Sequence, residues 1–265
     1  NQAFIIFFAG CFFIIYSTGL FFSAFGMYAL NKFATFTSFN ITKNLFDNFM
    51  KRNYYFFVEN HSSNLITVLH HHISAFTGSV LYPILEMSSK FLILFAIIFY
   101  LFLTNPISTL FTLILLLSAF VFAFMYSKKI FRNLGKQNVL TDNYINKLII
   151  EILTSIKFIK IMNLEKNFSN QYINYIYQQC LIRMKLFRLT ILPKFMIEFI
   201  GIFGILSLTI YLTTSKGLME SLPILAVFLL AGFKILPAIN TFYANSSRII
   251  SSLTSIDIIY DYFLK

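Results

Sequence analysis

The sequence predicts an all-α polytopic membrane protein whose helices are longer than a bilayer is thick. Hydrophobic residues make up 58% of the 265 residues and charged residues 12%, with a mean hydropathy of +0.74, whereas about 25% of residues are charged in soluble domains. Residues 107–192 contain no proline and a single glycine, Gly135. Few residues there would break a helix, so this stretch predicts the longest rods of the fold.

Five apolar segments have roughly the length of 20 residues that a helix needs to cross about 30 Å of hydrocarbon. They are residues 3–30, 91–103, 107–126, 191–212 and 222–239. The second segment reaches spanning length when it is extended back to Tyr82. Asn105 and Pro106 lie between the second and third spans, where they predict the short turn of a hairpin.

The third span continues into a polar segment without a stop signal. Four basic residues, Lys128, Lys129, Arg132 and Lys136, follow the span, and isoleucine and leucine then recur at helical spacing from Ile145 to Ile159. At 1.5 Å per residue, a helix over residues 107–162 would be about 80 Å long, more than twice what a bilayer covers. The surplus predicts a helix that extends some 40 Å into the cytoplasm, where it reaches a soluble partner.

The basic residues predict the orientation of the chain and argue against nucleic acid as a partner. The net charge is +11, and basic chains often bind phosphate backbones. However, 12 of the 21 Lys and Arg lie between or beside the third and fourth spans, and only Lys216 lies in the opposite set of loops. This positive-inside asymmetry predicts a multi-pass protein of the cytoplasmic (inner) membrane, with a cytoplasmic C-terminus. Five spans then place Asn1 outside, so we expect residues 1–265 to be one six-span domain without its first span.

Two segments interrupt the helical pattern, each between two long helices, and we term them the first and second knobs. The four consecutive aromatic residues of NYYFFVEN (53–60) cannot all face one side of a helix, and residues 60–63 offer N-cap side chains for the next helix. NLEKNF (163–168) breaks the pattern in the same way. A short segment that projects between two long helices can bind in a groove of a partner protein. The first knob comprises Tyr54, Tyr55, Phe56 and Phe57. The second comprises Leu164, Glu165, Lys166 and Phe168.

Charged residues within or beside the last two spans are candidate cavity residues. Lys194 and Glu198 lie near the start of the fourth span, and Lys234 lies in the second half of the fifth. Charges at membrane depth are costly and usually face a cavity or one another. Two interpretations therefore stay open: Glu198 and Lys234 pair, since both lie at a depth similar to that of Lys194, or Lys234 binds an anionic substrate. At the edge of the second span, Glu86 precedes Lys90 by four residues, which predicts an ion pair.

The sequence predicts no catalytic and no metal-binding residues. His70, His71 and His72 are consecutive, and residues one or two apart on a helix do not share a face. Cys11 lies in the first span and Cys180 in a polar segment, so they predict neither a disulfide nor a metal site. Carboxylates are few and scattered, and we therefore expect no enzyme active site in this chain.

The pattern of spans and knobs resembles the transmembrane domain of ABC exporters, which has six spans and two long cytoplasmic hairpins. NYYFFVENHSSNLITVL (53–69) is similar to the first intracellular loop of that family, and KLIIEILTSIKFIKIMNLEKNF (147–168) to the second. PKFMIEFIGI, AGFKILPAIN and SLTSIDIIYDYF most resemble bacterial lipid-linked oligosaccharide flippases. Those flippases resemble one another in a basic residue late in the last span and another seven residues on. Here the first is Lys234, but the second position is Thr241.

This resemblance implies the membrane-spanning permease of an ATP-driven exporter or flippase that moves a lipid-linked oligosaccharide or another amphipathic lipid. No G-x-x-x-x-G-K-[ST] motif occurs in the sequence, so ATP and Mg²⁺ would bind in a nucleotide-binding domain that is fused downstream or separate. The two knobs would couple to that domain, and a second copy or a similar half-transporter would complete a dimer. An exporter of peptides or hydrophobic drugs is the alternative. From another class, a membrane scaffold or sensor that transports nothing also stays open.

Overall fold

The computed structural model describes residues 2–59 and 62–264, and these are helical apart from short turns, with no strand among them. Asn1, Asn60, His61 and Lys265 lie outside the described residues, and with them part of the predicted N-cap of residues 60–63. The helices are α1 (Gln2–Met50), α2 (Tyr54–Glu59), α3 (Ser62–Thr67), α4 (Ile73–Phe76), α5 (Tyr82–Thr104), α6 (Pro106–Thr154), α7 (Ile156–Ile161), α8 (Glu165–Lys216) and α9 (Leu218–Leu264).

Within residues 2–59 and 62–264, five rods are long and apolar enough to cross a membrane. Four of them are α1, α6, α8 and α9. The fifth runs over residues 62–104, where two π-helical turns, Val68–His72 and Thr77–Leu81, join α3, α4 and α5 without a break. We term it the α3–α5 rod. Each predicted span lies within one of these rods, which confirms the all-α, five-span prediction.

The rods are connected at one end of the bundle by single residues. Asn105 is extended (φ −155°, ψ 98°) between α5 and α6, and its side-chain oxygen accepts a hydrogen bond from the Ser108 amide at 3.3 Å. Asn105 thus serves as N-cap, and Pro106 follows at the first helical position, where its missing N–H costs nothing. Gly217 (φ 79°) separates α8 from α9 in the left-handed region that favours glycine. We term this the turn end, and the opposite end, with α2 and α7, the knob end.

The helix from residue 107 ends earlier than its apolar pattern predicts. α6 stops at Thr154, because Ser155 leaves the helical conformation (φ −98°, ψ 14°), and residues 156–161 form the separate short helix α7. Asn163 then turns the chain with a positive φ of 54°, which asparagine tolerates better than most residues. The prediction of one helix to residue 162 is therefore wrong. Even so, the 49 residues of α6 correspond to about 74 Å at 1.5 Å per residue, far more than a bilayer covers.

α6, α8, α9 and the α3–α5 rod pack together, and buried contacts to α9 hold them. Gly135 of α6 faces the backbone of Ser251 of α9 so closely that a Cβ atom would overlap it. The buried Tyr243 hydroxyl lies 2.9 Å from Ser127 Oγ of α6 and 3.1 Å from the Leu189 carbonyl oxygen of α8. The single glycine of residues 107–192 therefore serves close packing, whereas α1 keeps most of its apolar side chains exposed.

Candidate functional site

A basic cleft opens between α1, α5 and α9. Its volume is about 560 Å³, and apolar side chains of the three helices form most of its wall. Lys90 of α5, Lys234 of α9, Tyr16 of α1 and Thr241 of α9 also line it. The Lys234 Nζ atom lies 5.7 Å from the centroid of the Tyr16 ring, a distance at which the ring face attracts the ammonium group. We term this the lysine cleft.

Among the described side chains, no carboxylate forms an ion pair with either lysine of the cleft. The ion pairs between described side chains involve Lys160, Lys194, Arg183 and His71, and not Lys90 or Lys234. Two ammonium groups therefore face one largely apolar space. Unpaired cations in such surroundings are costly, and an anion bound between them would lower that cost.

Glu198 lies in a different cleft and has its own partners. Its Oε1 atom accepts a hydrogen bond from Asn240 Nδ2 at 3.1 Å and lies 3.9 Å from Lys194 Nζ. The cleft that Glu198 lines has a volume of about 600 Å³ between α8 and α9, and Phe233 lines both clefts. The structure thus brings Lys194 and Glu198 together and leaves Lys234 apart from them. The predicted pairing of Glu198 with Lys234 is therefore wrong, since Lys194 and Asn240 are the partners of Glu198 among the described side chains. The other interpretation, that Lys234 binds an anionic substrate, stays a prediction.

Lys90 is a cleft residue that the sequence did not reveal. Its predicted partner Glu86 instead accepts a hydrogen bond from Asn245 Nδ2 of α9 at 3.0 Å. The predicted Glu86–Lys90 ion pair is therefore wrong: a buried amide from another helix binds the carboxylate, and Lys90 is left facing the cleft. In the sequence, Lys90 is visible only as a lysine at the border of an apolar span. Its position there does not reveal which helix its side chain faces.

In the first knob, two tyrosines are exposed and a phenylalanine packs against the end of α1. Tyr54 and Tyr55 are 83% and 70% exposed. Phe56 turns inward, with its ring centroid 5.8 Å from that of Phe49 at the end of α1 and 5.7 Å from the Arg52 guanidinium carbon. Phe57 stacks edge-on against Phe56 and remains exposed. Of the four aromatic residues, the two tyrosines therefore offer the largest free surface.

The structure extends the second knob beyond the predicted residues 163–168, because α7 and Met162 lie directly before them and belong to the same projection. Lys160 Nζ binds Glu165 Oε1 at 3.1 Å across the turn, and the Leu164 amide donates to the Ile159 carbonyl at 3.0 Å. Lys166 is exposed, and Leu164, Glu165 and Phe168 are half-buried. The apolar surface of this knob comes instead from α7 and the turn residue after it, which the sequence analysis did not select. These exposed residues are Ile156, Phe158, Ile161 and Met162.

Comparisons with known proteins identify a family and a similar fold for this architecture. A family model described as ABC transporter transmembrane region matches residues 1–235. Among the solved structures, 93 chains match, and one is a bacterial Atm1-family ABC exporter with ATP bound. It is 12% identical, with a TM-score of 0.71 over 87% of this chain and 40% of that chain. At this identity the likeness concerns the fold, and this chain spans less than half the length of that exporter. No curated protein matches the sequence.

Proposed function

The chain belongs to the ABC transporter transmembrane region family, and from this premise we propose that it forms the permease of an ATP-driven exporter or flippase for an anionic, lipid-linked substrate. A lipid-linked oligosaccharide, whose lipid and sugar are joined through phosphate, is the proposed class. The observation that carries this proposal is the lysine cleft, in which two unpaired ammonium groups face a largely apolar space.

The lysine cleft suits a substrate with a charged centre and a hydrocarbon part. Apolar side chains from three helices form most of its wall, which fits a lipid chain, and Lys90 and Lys234 approach from α5 and α9. Charge-assisted hydrogen bonds from ammonium groups to phosphate are among the strong ones. The flippases that the chain resembles have a second basic residue where this chain has Thr241. In this structure Lys90 supplies a second positive charge to the same cleft from another helix.

Energy would come from ATP hydrolysis in a nucleotide-binding domain, fused downstream or separate, with Mg²⁺ as cofactor. The exposed tyrosines of the first knob and the exposed apolar residues of the second offer surfaces for such a domain, because contiguous apolar patches mark interaction sites. The positive-inside asymmetry of the loops supports an inner-membrane orientation with the knob end and the C-terminus in the cytoplasm. The exposed apolar side chains of α1 fit a dimer with a second copy or a similar half-transporter.

Transport by the full-length protein in proteoliposomes tests the proposal. We expect ATP and Mg²⁺ to drive translocation of a fluorescent lipid-linked oligosaccharide, measured as protection of the label from a membrane-impermeant quencher. A matched lipid without the phosphate-linked sugar should move much more slowly, because it lacks the anionic group. ATP-driven export of peptides or hydrophobic drugs, with no movement of the oligosaccharide, would favour the alternative substrate class. Absence of any ATP-dependent transport would favour a scaffold or sensor.

A further inference from the structure

A buried carboxylate joins three of the rods in the half of the bundle nearer the knobs. Asp142 of α6 is 7% exposed. Its Oδ1 atom accepts a hydrogen bond from Gln179 Nε2 and lies 3.5 Å from Arg183 Nη2, both of α8. Its Oδ2 atom accepts from Asn138 Nδ2 of α6 at 3.2 Å and lies 3.9 Å from His71 Nε2 of the α3–α5 rod. We term these five residues the Asp142 joint.

The joint is specific in its geometry because a buried carboxylate tolerates few arrangements. A charge removed from water is costly unless ion pairs and hydrogen bonds surround it. Here two rods besides α6 supply those partners, and Gln179 is itself buried. Separation of any one rod would leave part of this polar group without partners, so the joint favours one relative position of α6, α8 and the α3–α5 rod.

The rod that carries His71 is irregular where it meets the joint. His71 belongs to the π-helical turn Val68–His72, and a second π-helical turn, Thr77–Leu81, follows after one turn of α-helix. π-helical turns are rare and occur frequently at functional sites. The neighbouring ring of His72 is 2% exposed and packs edge-on against His71, with centroids 5.6 Å apart. The joint therefore contacts the α3–α5 rod at one of its two π-helical turns.

The joint also lies between the knobs and the lysine cleft. The first knob directly precedes the α3–α5 rod, and the second knob connects α6 to α8. Asp142 is about 18 Å along α6 from the end of that helix. In the other direction, Lys90 of the cleft lies about 28 Å along the α3–α5 rod from His71. A displacement that travels from the first knob along the α3–α5 rod, or from the second knob along α6 or α8, thus passes through helices that Asp142 contacts.

We propose that Asp142 is a positioning residue that makes the rods from both knobs move as one body, so that nucleotide-driven displacement of the knobs reaches the lysine cleft. This inference rests on the proposed transport function. It assigns Asp142 no contact with substrate or nucleotide. Its effect is on the efficiency with which hydrolysis drives transport, and long-range coupling of this kind requires an element whose position both sites affect.

The first test measures ATP hydrolysis and transport together in the full-length protein with Asp142→Asn, which removes the charge and keeps the shape. We expect hydrolysis to persist while transport per ATP falls at least about fivefold, the lower end of typical coupling between sites. Asp257→Asn is the matched control, because it removes an exposed carboxylate of α9, and it should leave the ratio unchanged. An unchanged ratio in Asp142→Asn, or a loss of both activities in proportion to folded protein, would overturn the proposal.

The second test measures the joint directly and does not depend on transport. Spin labels on the native Cys180 of α8 and on Ser74→Cys of the rod, both exposed positions, report the distance between these helices in lipid nanodiscs after Cys11→Ala. Without nucleotide, Asp142→Asn should broaden that distance distribution, and the Asp257→Asn protein should match the parent. If Asp142→Asn fails to fold, His71→Gln takes its place. Identical distance distributions in Asp142→Asn and the parent would overturn the proposal that Asp142 holds these helices together. An altered distribution in a protein without ATP-driven transport would overturn only the proposed function.

Discussion

Replacing Lys234 with alanine in the full-length protein should reduce translocation of the anionic lipid-linked substrate by roughly 10- to 150-fold. This range corresponds to the loss of one hydrogen bond to a charged group, about 1.5–3 kcal/mol. Lys90→Ala should have an effect of the same order, and the double substitution should abolish transport, because no ion pair between described side chains involves either lysine and both line one cleft. Initial rates against substrate concentration in proteoliposomes measure the effect.

Lys32→Ala provides the matched control for these substitutions. Lys32 is an exposed lysine of α1 that does not line the lysine cleft, and its removal changes the net charge equally. Transport normalised to folded protein should stay at the parental level. If the double variant also retains parental rates for the anionic lipid, the lysine cleft does not bind the substrate's charge.

Replacing Tyr54 and Tyr55 together with alanine should uncouple hydrolysis from transport without destabilising the protein. Both side chains are largely exposed, and surface substitutions usually change the free energy of unfolding by less than about 0.5 kcal/mol. Their exposed aromatic surface instead suits a contact with the nucleotide-binding domain, where aromatic anchors contribute about 2 kcal/mol or more. We expect transport to fall at least about tenfold, while the basal ATPase rate stays within about twofold.

Phe56→Ala distinguishes a residue that stabilises the first knob from residues that contact the nucleotide-binding domain. Phe56 packs against Phe49 and lies beneath Arg52, so its truncation should lower the melting temperature as well as transport. Parallel measurements of thermal unfolding, ATPase rate and transport distinguish the two outcomes. A tyrosine double variant that unfolds at a lower temperature, or that transports normally, would contradict the assignment of the first knob.

The rods were predictable because lipid and helix geometry impose a simple pattern on the sequence. Apolar runs of spanning length, helical spacing of isoleucine from Ile145 onward and the lack of helix breakers predict five long helices, and all five occur. The end of α6 was not predictable in this way. The apolar spacing continues across Ser155 to the buried Ile159. The periodicity is therefore the same for one continuous helix as for α6 followed by the short helix α7. Only the backbone at Ser155 and Asn163 reveals the turn.

The candidate sites were predictable only where one residue is conspicuous by itself. Lys234 stands out as a lysine within an apolar span, and the four aromatic residues of the first knob stand out as a run. Lys90 did not, because Glu86 precedes it at ion-pair spacing, and the actual partner of Glu86, Asn245, comes from a distant helix. Asp142 gave no signal either, since an aspartate on a polar helix is ordinary until α8 and the α3–α5 rod pack around it.

The most direct test of this account follows access to the lysine cleft through the nucleotide cycle. Lys234→Cys in a Cys11→Ala, Cys180→Ala background of the full-length protein provides a single thiol in the cleft, and membrane-impermeant maleimide is added from each side of proteoliposomes. We expect labelling from the knob side without nucleotide, and loss of that labelling when a non-hydrolysable ATP analogue and Mg²⁺ are present. Labelling that is equal from both sides, or indifferent to nucleotide, would contradict the central claim that the knobs transmit ATP-driven motion to this cleft.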